Sequence, residues 1–153
     1  MALGAVIDIT GPTSLRFTTK SITFTGAADL GAVGNVPLFT VTGEVLVVML
    51  IPFCTTLLTE ALATATLALG VTGSTSLFIA ATTATGIDAN EFWVDATPDA
   101  NGIAIPAALK DIAITDNIVG TVGGGAGRDV NAGVIRFDLF WLPLSSDAAV
   151  VAA

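Results

Sequence analysis

Apolar and polar residues alternate with a period of two along most of the chain, which is the mark of strands with one covered face. The segment "GVIRFDLFWLPL" is the clearest case. Ile135, Phe137, Leu139 and Trp141 fall on one face, Arg136, Asp138 and Phe140 on the other, and Pro143 stops the run. In "TATLALGV", Ala65, Leu67, Leu69 and Val71 oppose Thr64, Thr66, Ala68 and Gly70. "LRFT" places Leu15 and Phe17 together, and "ITFT" places Ile22 and Phe24 together. The step from Phe17 to Ile22 is odd, so the pattern predicts a tight turn or a β-bulge at "TTKS". "VPLFTVTG" reads as a Thr-rich strand. "EVLVVML" is apolar on both faces and reads as a central strand, with Pro52 marking its end or a bulge. "SLFIAAT", "EFWVD" (Glu91–Asp95), "DIAIT" and "NIVGTVG" complete the set of short strands.

Turn residues separate these runs: "TGP", "GAVGN", "VTGS", "TPDANG", "TDN" and "VGGGAGRDVNAG". Eight to nine short strands at regular spacing predict an all-β fold, an antiparallel β-sandwich of jelly-roll-like character with little helix. The length fits one domain spanning residues 1–153, with 1–13 and 145–153 as extended arms. "IPAALKD" is long enough for one helical turn. "TTLLTEALATA" is a competing helix, with Thr56 as its cap and Leu58 and Leu62 aligned.

Residues 45–71 carry one charge, Glu60, and raise the question of a membrane span. Three features argue for a buried sheet. No Lys or Arg occurs between Ser21 and Leu109, so neither flank is basic. The uninterrupted apolar part, residues 45–51, falls short of the roughly 20 residues a spanning helix needs. The remainder alternates. The N-terminal "MALGAVIDITGPTSLRF" lacks the early basic residues of a secretory signal.

Composition sharpens the picture. Charged residues are 12% of the chain against a usual figure of about 25%, while apolar residues reach 53%. So little charge on an ordinary-sized domain leaves apolar surface to be covered, which predicts a homo-oligomer or a member of a larger assembly. The net charge of −8, with no basic stripe, argues against nucleic acid and against an anionic membrane. No histidine is present to serve as a general base or zinc ligand. Cys54, the one cysteine, reads as a buried small hydrophobe. No catalytic residue, cofactor or metal ligand is assigned.

The densest acidic stretch holds Asp88, Glu91, Asp95 and Asp99. Carboxylates suit calcium, but the spacing is not that of an EF-hand, and strand ends and turn caps account for these residues. "GTVGGGAGRDV" resembles a phosphate loop in glycine content only. It lacks the Lys-Ser/Thr pair and precedes a strand, so a long flexible hairpin loop is expected. Trp141 is assigned to the core. Phe92, Trp93 and Phe140 are the interface candidates, because Trp93 shares its predicted face with two acids and Phe140 lies opposite the core face.

The segments "PLFTVTGEVLV", "TTATGIDANEFWVDATPDA", "DIAITDNIVGTVG" and "GVIRFDLFWLPLSSD" resemble small proteins encoded with virion structural genes in tailed bacteriophages and prophages. The resemblance covers residues 36–150 and rests on whole segments, not on a chemical motif. It implies a capsid decoration or cement protein, made in the host cytoplasm and carried on the phage head surface. Its implied partners are copies of itself and the lattice of the major capsid protein. A tail or head-fibre component, or a carbohydrate- or calcium-binding sandwich, is the alternative.

Overall fold

The computed structural model describes residues 14–60, 62, 64–97 and 102–153. Ten strands follow in chain order: β1 (Arg16–Thr23), β2 (Gly34–Thr42), β3 (Val45–Glu60), β4 (Thr66–Val71), β5 (Ser74–Thr83), β6 (Glu91–Phe92), β7 (Lys110–Ile114), β8 (Ile118–Gly123), β9 (Val130–Pro143) and β10 (Ala149–Ala152). The described helix is two short 3-10 turns, Ala84–Gly86 and Ala107–Leu109. The all-β sandwich is therefore what the strand period predicts.

The strands form two antiparallel sheets. One has the order β1-β9-β3-β6, with β7 also paired to β3; the other has the order β10-β2-β8-β4-β5. The pairing is nested: β1 with β9, β2 with β8, β3 with β7, and β4 with β5. A long hairpin folded over on itself gives this order, which is that of a jelly roll. β10 is an addition at the edge beside β2.

The inner faces supply the core. From the first sheet come Ile22, Val47, Leu50, Ile135, Phe137 and Leu139; from the second, Leu38, Phe39, Leu67, Leu69, Ile118 and Val122. Trp141 lies in this core at 3% exposure, and its indole N–H donates to Thr18 Oγ1 at 3.0 Å. β3 is central, flanked by β9 on one side and by β6 and β7 on the other.

Several local expectations are corrected. β1 runs unbroken from Arg16 to Thr23 in a continuous register with β9, so "TTKS" holds neither turn nor bulge. Instead Phe17 lies on the outer face and Ile22 on the inner one. β3 does not end at Pro52 but continues to Glu60, which removes the competing helix at residues 55–60. Proline is tolerated there because of where its missing N–H would point. The Pro52 carbonyl accepts the Trp93 N–H at 3.1 Å. The amide position of the same residue faces that side too, in the interval between the last β7 pair at Met49 and the first β6 pair at Phe53. Bulges sit near Val48 and Thr55 instead.

Residues 124–129 do not close a hairpin. β8 already has β2 and β4 on its two edges, so the chain crosses to the other sheet, where β9 begins. Gly124, Gly125 and Gly127 take positive φ there. The tail beyond Pro143 is not a free arm either: Ala149–Ala152 pairs with Phe39–Thr42 as β10. The other expected arm, residues 1–13, lies outside the described residues.

Glu60, the single charge of residues 45–71, has a structural task. Its Oε2 accepts the Ala65 N–H at 3.0 Å and its Oε1 the Thr85 N–H at 3.1 Å. One carboxylate thus ties the end of β3 to the start of β4 and to the 3-10 turn after β5.

Candidate functional site

The outer face of the first sheet is the most distinctive surface of the molecule. Directly paired residues share a face, so the register names its members. From β1 come Phe17, Thr19, Ser21 and Thr23; opposite them on β9 stand Phe140, Asp138, Arg136 and Val134. β3 adds Leu46, Met49, Ile51 and Phe53, opposite Leu142, Phe140, Asp138 and Arg136. Phe92 on β6 pairs with Phe53. The β3 and β9 members, apart from exposed Arg136, are half-buried by their neighbours in the sheet, and Phe17 is 54% exposed.

Two aromatic pairs anchor this face. Phe17 and Phe140 meet with ring centroids 5.0 Å apart, and Phe53 and Phe92 at 4.9 Å in an edge-on arrangement. Between them lies one ion pair. Arg136 Nε donates to Asp138 Oδ2 at 2.8 Å, Thr19 Oγ1 donates to Asp138 Oδ1 at 2.7 Å, and the Arg136 guanidinium sits 5.5 Å from the centre of the Phe53 ring. The pair is the surface contact expected from the alternation on β9. Its two charges cancel, and Lys110 on β7, opposite Met49, adds one positive charge at the margin of the face.

The predicted interface residues divide. Phe92 and Phe140 lie on this outer face. Trp93 does not: it is fully buried, and its indole N–H donates to Thr82 Oγ1 at 3.0 Å. The alternation of "EFWVD" holds through Trp93: Glu91 pairs with buried Cys54, Phe92 with Phe53 on the outer face, and Trp93 follows on the inner side, so the face it shares with Glu91 is the core side at the sheet edge and not the solvent side. Phe17 and Phe53 are the residues the sequence reading missed. The alternation pairs Phe17 with Leu15 without saying which face the core takes, and the odd step to Ile22 is the sign that Phe17 and Ile22 belong to opposite faces.

The acidic stretch behaves as strand-end and turn chemistry. Glu91 Oε2 accepts the Asp88 N–H at 3.2 Å, and Asp95 Oδ1 accepts both the Thr97 N–H at 2.7 Å and the Thr97 hydroxyl at 3.1 Å. Asp99 lies outside the described residues. Among the described residues, no three of His, Cys, Asp and Glu gather as a metal site. Cys54 is fully buried. Its thiol donates to the Thr56 carbonyl at 3.2 Å, and burial pushes its pKa up to about 11. An uncharged, shielded thiol is a poor nucleophile. A concavity lined by Leu57, Thr59, Glu60, Thr64, Thr85 and Asp88 lies at the loop end of the sandwich, but its Glu60 carboxylate is already committed to two backbone N–H groups.

No family model, characterised protein or solved structure matches the chain. No helix among the described residues is long and apolar enough to cross a membrane.

Proposed function

We propose that the protein is a non-enzymatic structural subunit of a virion, a decoration protein that binds the assembled phage head lattice and stabilises it. The carrying observation is the aromatic-rich outer face of the β1-β9-β3-β6 sheet, which carries no surplus of acids and on which Phe17 is more than half exposed. A jelly roll closes its core between its two inner faces, so apolar side chains on an outer sheet face serve contacts beyond the domain. The fold itself hosts many functions and is not the argument. Further support comes from the low charge, the acidic balance that disfavours packaged DNA, and the segments that resemble phage structural proteins. On this reading the chain is made in the host cytoplasm and acts as copies of itself on the head surface, with the major capsid protein as its partner.

Quantitative mass spectrometry of purified particles from cells carrying the gene tests the proposal. Copies in the hundreds per head are expected. A handful per particle would move the protein to the tail or a fibre, and absence from particles would end the virion reading.

A further inference from the structure

We infer that the outer face of the first sheet docks against the same face of a second copy of this chain, about a two-fold axis beside Arg136 and Asp138. This rests on the reading of that face as an assembly surface and names its occupant.

Charge is the first argument. The chain carries −8, yet on this face Arg136 and Asp138 cancel and the register adds only Lys110, opposite Met49, so among the described residues this face holds none of the negative surplus. Two copies repel through most of their surfaces, and this face is where that repulsion is smallest. Position is the second. β9 lies between β1 and β3, and Arg136 and Asp138 occupy the middle of its outward residues, with Val134 on one side and Phe140 and Leu142 on the other. A two-fold axis there brings each Arg136 to the partner's Asp138. The existing ion pair becomes a closed four-membered network, the arrangement that makes a desolvated pair tolerable. Phe17 and Phe140 then meet the partner's face as aromatic anchors around it.

Area is the third. Four strands at about 4.8 Å spacing and eight residues at about 3.3 Å give a face of about 19 by 26 Å. That is a flat projection of about 500 Å², and pleat and side-chain relief raise the accessible area towards the roughly 800 Å² per partner of a standard interface.

Sedimentation equilibrium of the full chain is the test. The wild type is expected to form a dimer. Phe17→Asp, at a position more than half exposed in the monomer, is expected to weaken it at least about 30-fold while leaving the thermal transition of the dilute protein in place. Arg136→Asp and Asp138→Arg are each expected to stay monomeric alone and to associate with one another on mixing. A wild type that stays monomeric, or charge variants that self-associate as well as it does, overturns the proposal. So does a monomer whose Phe17 face is shielded, which would assign the face to residues 1–13 of the same chain. Binding to phosphatidylcholine vesicles in place of self-association would assign it to lipid. Particle incorporation is scored separately. Dimers absent from particles defeat the virion reading alone; a monomer found in them defeats the dimer alone.

Discussion

Glu60→Ala is the sharpest probe of how this chain carries a nearly uncharged run of residues. The substitution removes two charge-assisted hydrogen bonds, to the Ala65 and Thr85 N–H groups. They are not equal. Ala65 is fully buried, so its N–H loses its partner where water does not reach, at about 1–3 kcal/mol. Thr85 is exposed, its N–H rebinds to water, and its loss adds about 0.5 kcal/mol. The sum is about 1.5–3.5 kcal/mol. For a domain of this size, each kcal/mol lowers Tm by about 2–4 °C, so a drop of about 3–14 °C is expected. Urea unfolding should show a lower midpoint with an unchanged slope, because the surface exposed on unfolding is the same. Glu60→Gln keeps one acceptor and turns the other towards a donor, so it should lose about half as much. All variants are compared at one protein concentration, since association shifts the midpoint. A Glu60→Ala protein within about 0.5 kcal/mol of wild type would refute the clamp.

Trp93→Phe should cost about 1–2 kcal/mol through the lost bond to Thr82 and leave sedimentation unchanged, because the indole does not reach the surface; altered association would return Trp93 to the interface. Gly133→Ala should destabilise by at least about 2 kcal/mol in denaturant titration, since φ is +108° and a Cβ would lie 2.6 Å from the Leu57 carbonyl oxygen and from Leu58 Cδ2. Cys54 should resist alkylation at pH 8 until the protein unfolds. Its thiol loses a proton more readily in the unfolded chain, near pH 9, than in the folded one, near pH 11. The resulting stability is complete below pH 9 and falls by roughly 2 kcal/mol as pH rises to 11, a decline that Cys54→Ala should abolish.

The strand period made most of the architecture legible. β9 and the core side of Trp141 follow directly from alternation, because one face of that strand is covered and the other is more open; β4 follows from its alternating sequence although both of its faces are buried. The failures have a common cause. Alternation gives two faces without saying which one the core takes, so the odd step from Phe17 to Ile22 reads as a turn or bulge although the two simply lie on opposite faces of one unbroken strand. Pro52 reads as an end or a bulge because its missing N–H counts only if that edge of the strand is paired there. The 124–129 crossing was read as a hairpin because the occupancy of the β8 edges is a property of the whole sheet. Of the proposed interface, Phe92 and Phe140 are visible as apolar residues out of phase with the core, whereas Trp93 is misplaced because its acidic neighbour Glu91 sits on the core side at the sheet edge, so acids on a face do not mark it as the solvent side.

Nested pairing also bears on the order of events after synthesis. β4 and β5 are joined by a two-residue turn, whereas β1 waits for β9 from the far end of the chain. Short-loop closures come cheaply and distant ones late, so the β1-β9 seam is expected to zip last. That seam carries Phe17 beside Phe140. If that face docks as proposed, a half-finished chain has no complete surface to offer, and recruitment into a larger structure is reserved for molecules that have finished maturing.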